Sequence, residues 1–282
     1  MAAAVTVHAP AAYLLQLADN ALVLGQRNAE WCGHGPAIEE DIAMANISLD
    51  LVGQSRLLYQ HAAAVANAQV ERAPALAAVL PAGDDLTEDR LAYFRDAPQF
   101  LNLVLLELPH RTAFAPSVST DKDYAVTIVR NFLYASLMLL VWEGLQASQD
   151  AQLAAIAAKS LKETRYHVRH STDWLIRFGD GTAESHGRVQ AALNHLMPYT
   201  QEFWTASPAE AEAVAQGTGV DVAALKSRWD EAIDAVLGEA TLRRPAASGH
   251  VTRGKQGLHS EHLSYLLVEM QSLARAHPHA LW

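Results

Sequence analysis

Two pairs of long helical segments constrain the fold of this chain more than any other feature of its sequence. Apolar residues recur at helical spacing over residues 11–31 and 36–69, and again over 121–147 and 151–178. The connection within each pair is so short that its two helices must be antiparallel neighbours. The sequence therefore predicts an all-α protein built on a four-helix bundle.

The remaining segments predict a ferritin-like layout with additional C-terminal helices. Between the core helix pairs, which cover about 11–69 and 121–178, residues 71–120 provide the long crossover that ferritin-like bundles use. The C-terminal part, about 184–276, is predicted to contain helices at 184–206, 221–237 and 259–276 and a linker at 208–219. No shift in composition marks a domain boundary, so residues 1–282 are predicted to form a single domain.

The crossover is rich in proline, glycine and charged residues in its first part. Residues 71–100 are predicted to form a looser excursion with a short helix at 87–94, which Thr87 caps. A short apolar piece follows at 102–110. Asp121 is predicted to cap the third long helix.

The second long helix carries the residue on which the functional question depends. Apolar residues are distributed so broadly around this helix that it is predicted to be buried on most sides. Asp50 lies in the middle of the apolar run. A carboxylate on an interior helix face must be paired, protonated or bound to a metal, and helical bundles do build metal sites from such positions.

The ligand positions of a ferritin-like di-iron site are degenerate in this chain. Such a site takes a Glu from each of two helices and a Glu-x-x-His motif from each of the other two. On the second helix the motif positions hold Asp50 and Gly53, and glycine offers no ligand. On the fourth helix they hold Thr164 and His167, because Glu163 is one position off the face. Two of the required ligands are therefore missing from these helices.

The other two long helices supply no replacement ligands. Residues 125–141 contain no acidic residue, and the core stretch of the first helix has only Asp19 as a carboxylate. The sequence thus predicts no complete metal site in this chain. A second interpretation remains open, namely a metal-dependent helical oxidoreductase with a reduced ligand set around Asp50, Glu163 and His167.

Further residues of catalytic or metal-binding type have ordinary structural interpretations. Glu107 and His110 have Glu-x-x-His spacing, but the proline between them disrupts a regular helix. The loop 253–257 could contact phosphates, yet it lacks the Walker spacing. The other candidates are Cys32 and His34 in a glycine-rich turn and His259, Glu261 and His262 at a helix start.

Composition and charge exclude several classes of protein. The formal net charge of −10 argues against a nucleic-acid partner. The longest apolar run, 131–142, is too short to span a bilayer and predicts a buried core helix. No basic region precedes an apolar one at the N-terminus, and the single cysteine excludes an internal disulfide. These features together indicate a cytoplasmic protein that contacts no membrane.

Four stretches of the sequence carry a resemblance to a known family. They are 24–34, with Leu-Gly-Gln-Arg and Glu-Trp-Cys-Gly-His, 39–54, with Leu-Asp-Leu-Val-Gly-Gln, 153–171, with Lys-Glu and Tyr-His, and 254–271, with Gly-Leu-His and Glu-His-Leu. These motifs are similar to those of the C subunits of bacterial phenylacetyl-CoA 1,2-epoxidases. The resemblance covers nearly the whole chain, although residues 65–98 are longer than is usual in the family.

The resemblance implies a ferritin-like, metal-free subunit of a multicomponent monooxygenase in phenylacetate degradation. It implies no catalytic residue and no bound cofactor in this chain. It implies a related catalytic A subunit, which carries the di-iron centre and the acyl-CoA, as the main partner in a hetero-oligomer. It further implies other subunits of the complex and a reductase that uses flavin, an iron–sulphur cluster and NADPH. A homodimer of the isolated chain remains open, and the loop 253–257 is a candidate contact for CoA or for a partner.

Overall fold

The computed structural model of the chain describes residues 7–69, 85–111 and 122–280, which contain ten α-helices and no β-strand. In chain order the helices are α1 (Ala11–Ala29), α2 (Ile38–Asn67), α3 (Glu88–Tyr93), α4 (Val104–Glu107), α5 (Tyr124–Leu145), α6 (Ala151–Gly179), α7 (Ala183–Leu196), α8 (Pro208–Ala215), α9 (Lys226–Glu239) and α10 (Glu261–Ala276).

The four long helices form the predicted bundle. Helix α1 packs along α2, α5 packs along α6, and α2 contacts α6, which joins the two pairs. The short turns after α1 and α5 set each pair antiparallel, as the sequence requires. The C-terminal helices pack around this bundle, and a contiguous buried cluster extends from Ala9 to Leu267. The prediction of an all-α, ferritin-like bundle with additional C-terminal helices is confirmed.

Helix α5 is the most deeply buried of the long helices. It is the one described helix that is long and apolar enough to cross a membrane, and 94% of its apolar window is buried inside the structure. A helix that is apolar on all sides is expected at the centre of a large bundle. Its composition is therefore explained by its position between α6, α7 and α9.

Two predicted features of the helices are wrong in detail. Helix α5 is capped by Asp123, whose side chain accepts the N–H of Ala125 at 2.9 Å, whereas the predicted cap, Asp121, lies outside the described residues. The predicted linker 208–219 contains helix α8. Ser207 and Glu210 form a capping box there. A serine followed three residues later by a glutamate indicates the start of a helix, whereas Pro208 alone suggests a linker.

The described part of the crossover is packed rather than loose. Thr87 caps α3 as predicted, by accepting the N–H of Arg90 at 3.2 Å. Beyond it, Arg95 and Phe100 are almost fully buried against the bundle. The charged and proline residues of this segment predicted a loose excursion. One of the charged residues, Arg95, is instead buried with Asp19 as its partner, so a charged composition does not show that the segment is loose. Residues 70–84 and 112–121 lie outside the described ranges, and with them part of the longer segment 65–98.

Candidate functional site

The seam between α2 and α6 brings the predicted site residues together. Asp50 Oδ2 lies 3.0 Å from His167 Nε2. One helical turn further, the amide of Gln54 donates to Glu163 Oε2 at 2.9 Å. The predicted face of α6 is therefore correct for His167, and Glu163 points towards α2 as well. Each of these side chains already has a protein partner across the seam.

The environment of Asp50 differs from the expectation. It was expected on an interior face, but 37% of its side chain is exposed, while its partner His167 is only 5% exposed. Because its side chain is partly hydrated and has His167 as a hydrogen-bond partner, Asp50 needs neither a metal nor a buried cation to be stable there.

The interior of the bundle at the degenerate positions does not fit a di-iron centre. Thr164 is buried and borders a cavity of about 10 Å³, whose walls include Leu24 and Met138. A volume of that size holds roughly one water molecule. At Gly53, a side chain would meet no atom within 4 Å, so this position faces open space rather than the cavity. Glu163 is held by Gln54 and by Lys159 at 3.7 Å.

Asp19, the carboxylate in the core of α1, is bonded to the crossover and to α2. Asp19 of α1 forms a buried ion pair with Arg95 from the crossover. Its carboxylate also accepts the Tyr59 hydroxyl at 2.5 Å and the N–H of Leu101 at 2.8 Å. Both carboxylate oxygens of Asp19 thus accept hydrogen bonds from Arg95, and Asp19 anchors the crossover to the bundle.

The structure separates the two halves of the Glu-x-x-His motif. Helix α4 ends at Glu107, and His110 turns towards Thr127 and Arg130, at 2.5 Å and 2.9 Å. Burial and the neighbouring Arg130 hold the pKa of His110 well below its ordinary value, so this imidazole is neutral. The proline between the two residues accounts for the separation.

Glu107 instead joins the second group of candidates. Its carboxylate lies 2.9 Å from His259 Nδ1 and accepts the N–H of Ser260 at 2.5 Å. Burial alone would lower the pKa of His259, but the hydrogen bond and the negative charge of Glu107, together with the carbonyl of Phe100, outweigh it and raise that pKa. This pair ties the start of α10 to α4.

The last two candidates are Cys32, which is exposed, and the loop 253–257, whose lysine is buried. In the loop 253–257, Lys255 is buried, and its ammonium group lies 2.9 Å from Glu210 and donates to the carbonyls of Phe203 and Thr205. The lysine is thereby committed to the fold and is not free to bind a phosphate.

A cluster that the sequence did not reveal lies at the start of α6. Among the described residues, His8, His61 and Asp150 are the one group whose three ligand-type atoms lie within 4.8 Å of one another. Asp150 Oδ1 caps α6 through two backbone N–H groups, and Oδ2 accepts the N–H of Ala9 and lies 2.7 Å from His61 Nε2. The three residues are far apart in the sequence and belong to no local motif.

Asp150 is predicted to make folding sensitive to acid. Burial alone would raise its pKa, but the hydrogen bonds from His61, Ala9 and Leu153 outweigh it and lower the pKa from 3.8 to about 2. Its stabilising effect is therefore complete above pH ~4 and is lost as the pH falls through about 2. We expect Asp150→Asn to lower the free energy of unfolding by about 2 kcal/mol at pH 7.

The measurement is urea unfolding of both chains between pH 7 and pH 2.5. The difference between wild type and Asp150→Asn should shrink below pH ~4. Asp173→Asn, at an exposed position of the same helix, serves as the control and should leave the curve unchanged. A difference that stays constant down to pH 2.5 would show that the charge of Asp150 does not stabilise the fold.

The outer side of α2 carries exposed apolar side chains, although this helix was predicted to be buried. Ile38, Ile42, Leu49 and Val52 are 73%, 56%, 68% and 39% exposed, so the prediction that this helix is buried on most sides is wrong. We call these four residues the α2 stripe. Their spacings place them on one side of the helix. Further along the same side, Arg56 and Gln60 are exposed and polar.

The crossover between two antiparallel helix pairs defines the chain as a ferritin-like protein. The model of the family described as phenylacetic acid catabolic protein matches residues 2–282, and the chain belongs to that family. Its role lies in phenylacetate catabolism. It is 41% identical over 271 residues to the C subunit of the 1,2-phenylacetyl-CoA epoxidase of Escherichia coli (strain K12), a match that covers 96% of this chain and 98% of that protein. The resemblance found in the sequence is confirmed.

Proposed function

We propose that the chain is a non-catalytic structural subunit of a di-iron monooxygenase that epoxidises the ring of phenylacetyl-CoA. It stabilises the related catalytic A subunit, which carries the iron, while a reductase with flavin and an iron–sulphur cluster supplies electrons from NADPH. The complex works in the cytoplasm. The identity to a C subunit supports this proposal, and the observation that carries it is the α2 stripe.

The α2 stripe has the character of a subunit interface. The outward side of a surface helix is ordinarily polar, and large contiguous apolar patches mark contact sites. Here the large apolar side chains occupy the outward side from Ile38 to Val52, and three of them, Ile38, Ile42 and Leu49, are more than half exposed. A partner helix laid along this stripe would bury them. Without the A subunit, two copies of the chain would cover each other's stripe in a homodimer.

The interior of the bundle supports a non-catalytic role. Of the degenerate positions, Thr164 and His167 border a cavity of about 10 Å³, and the polar groups of the seam are bonded in pairs. The alternative metal-dependent oxidoreductase would need Asp50, Glu163 and His167 to converge on one ion. Asp50 and His167 do meet, but Glu163 is bonded to Gln54 and Lys159 instead. We therefore assign the iron to the A subunit and no cofactor to this chain.

The test is reconstitution with each component left out in turn. The assay follows NADPH-dependent consumption of phenylacetyl-CoA by the A subunit, the reductase, the other subunits and this chain. We expect omission of this chain to lower the rate by roughly 100-fold, because a positioning error of about 1 Å in a catalytic site has an effect of that size.

Two results would contradict the proposal. Full activity without this chain would exclude a structural requirement. Turnover by this chain and the reductase alone, together with stoichiometric iron after anaerobic ferrous loading, would establish the metalloenzyme interpretation.

A further inference from the structure

The outer side of α6 is a basic surface on an acidic protein. Helix α6 carries five basic and two acidic residues, whereas the whole chain has a formal net charge of −10. Lys162, Arg165, Arg169 and Arg177 are all exposed and recur at helical spacing. We call these four residues the α6 ridge.

The charges of the α6 ridge are not neutralised by the chain itself. Within the described ranges, none of the four residues has a carboxylate oxygen within 4.0 Å, whereas Arg188 and Arg228 elsewhere on the surface pair with Glu184 and Glu143. Because these side chains have no carboxylate partner within the chain, pairing them with a carboxylate of another protein breaks no ion pair of the fold. The ridge is thus available for charge-assisted contacts with carboxylates.

Aromatic side chains are interleaved with the ridge. The guanidinium of Arg169 lies 5.6 Å from the ring centre of Tyr166, and that of Arg177 lies 5.3 Å from that of Trp174. Tyr166 is 38% exposed, and Trp174 is half-buried. Tyrosine, tryptophan and arginine are the residues that contribute most at protein–protein contacts. Stacking also holds the arginine side chains in place, which lowers the entropy lost on binding.

The ridge and the α2 stripe are different surfaces. Leu49 and Val52 lie roughly 140–160° around α2 from Gln54, which faces α6, so the stripe points away from the seam. The stripe is apolar, as in permanent interfaces, whereas the ridge is charged and largely solvated. Charged surfaces of this kind speed encounter and favour contacts that form and dissociate quickly.

We propose that the α6 ridge docks a transient protein partner with an acidic surface, and that this partner is the reductase of the complex. The choice of the reductase rests on the proposed function. A component that supplies electrons must bind and leave in each catalytic cycle, and electron-transfer contacts are small and weak. The ridge provides the long-range attraction that such a contact needs, while the apolar stripe remains occupied by the A subunit.

The test is direct binding of purified reductase to the immobilised chain, followed by biolayer interferometry at 50 mM and 300 mM NaCl. Arg165→Glu/Arg169→Glu should weaken binding by roughly 30-fold at low salt, mainly through slower association. The matched control, Arg188→Glu/Arg228→Glu, reverses two exposed charges outside the ridge and should change binding by less than about threefold. Both variants should stay folded, and the thermal midpoint of the control should fall by no more than a few degrees, since it breaks two exposed ion pairs.

Any of the following four outcomes would overturn the proposal. If both variants bind the reductase equally weakly, only the net charge of the chain matters. If the reductase does not bind the wild-type chain, it is not the partner of the ridge. Tighter binding of a DNA duplex or of anionic lipid vesicles than of the reductase would assign the ridge to a polyanion. Loss of A-subunit assembly in Arg165→Glu/Arg169→Glu would make the ridge part of the permanent interface. Because this assay needs no A subunit, its failure is distinguishable from a failure of the proposed function, which is read from assembly and turnover.

Discussion

Replacement of Asp19 by alanine is expected to lower the free energy of unfolding by about 3–5 kcal/mol. Asp19 and Arg95 are both buried, with 0% and 1% of their side chains exposed. Removal of the carboxylate leaves the charge of Arg95 inside the protein without its counter-ion. It also leaves the N–H of Leu101 and the hydroxyl of Tyr59 without their acceptor. A loss of this size is a large part of the stability of an ordinary domain.

Chemical unfolding of matched variants measures this effect. Asp19→Asn keeps an acceptor for Leu101 and should retain more stability than Asp19→Ala, which provides a usable variant if the alanine chain does not fold. Asp50→Ala removes a carboxylate from a half-exposed pair and should cost less than about 1 kcal/mol. Equal effects of Asp19→Ala and Asp50→Ala would contradict the assignment of Asp19 as the buried anchor.

The fold was predictable because its information is local. Helical periodicity over long segments and short connections within each pair dictate antiparallel neighbours, and two pairs with a long crossover leave few other layouts. The face of α6 that carries His167 followed from the same periodicity. The meeting of Asp50 and His167 therefore agrees with the expected ligand face, although no metal is needed to explain it. The single-domain organisation of residues 1–282 stays a prediction.

The polar pairs between distant parts of the chain were not predictable. Asp19 bonds to Arg95 across 76 residues, His61 to Asp150 across 89, and Glu107 to His259 across 152. Nothing in the local sequence states which carboxylate faces which cation. Sequence reasoning grouped Glu107 with His110 because they are neighbours in the chain, whereas packing groups it with His259.

The exposure of the α2 stripe was missed for a different reason. Apolar residues around most of a helix indicate that the helix is buried, but they do not state which molecule buries it. The same pattern results from a core helix, such as α5, and from a helix that completes its burial in a complex. Only the packed chain distinguishes the two, because it shows which apolar side chains remain uncovered.

Two aspartates placed in the α2 stripe are expected to prevent assembly with the A subunit without unfolding the chain. Leu49 is 68% exposed and Val52 is 39% exposed, so Leu49→Asp/Val52→Asp should change the stability of the isolated chain by less than about 1 kcal/mol. In an apolar interface each carboxylate would lose its hydration without gaining a partner. We expect the dissociation constant to rise by about 100-fold or more, which corresponds to about 2.7 kcal/mol.

Gel filtration and titration calorimetry with the purified A subunit measure this change, and the thermal midpoint reports the fold. Ala64→Asp/Ala155→Asp adds the same two charges at exposed helix positions outside the stripe and should assemble like the wild type. Loss of assembly in both variants would point to net charge. Unchanged assembly in Leu49→Asp/Val52→Asp would show that the stripe is not the contact. Loss in the stripe variant alone, with an unchanged midpoint, is the result that a structural subunit requires, because its apolar surface then acts on the partner and not on its own fold.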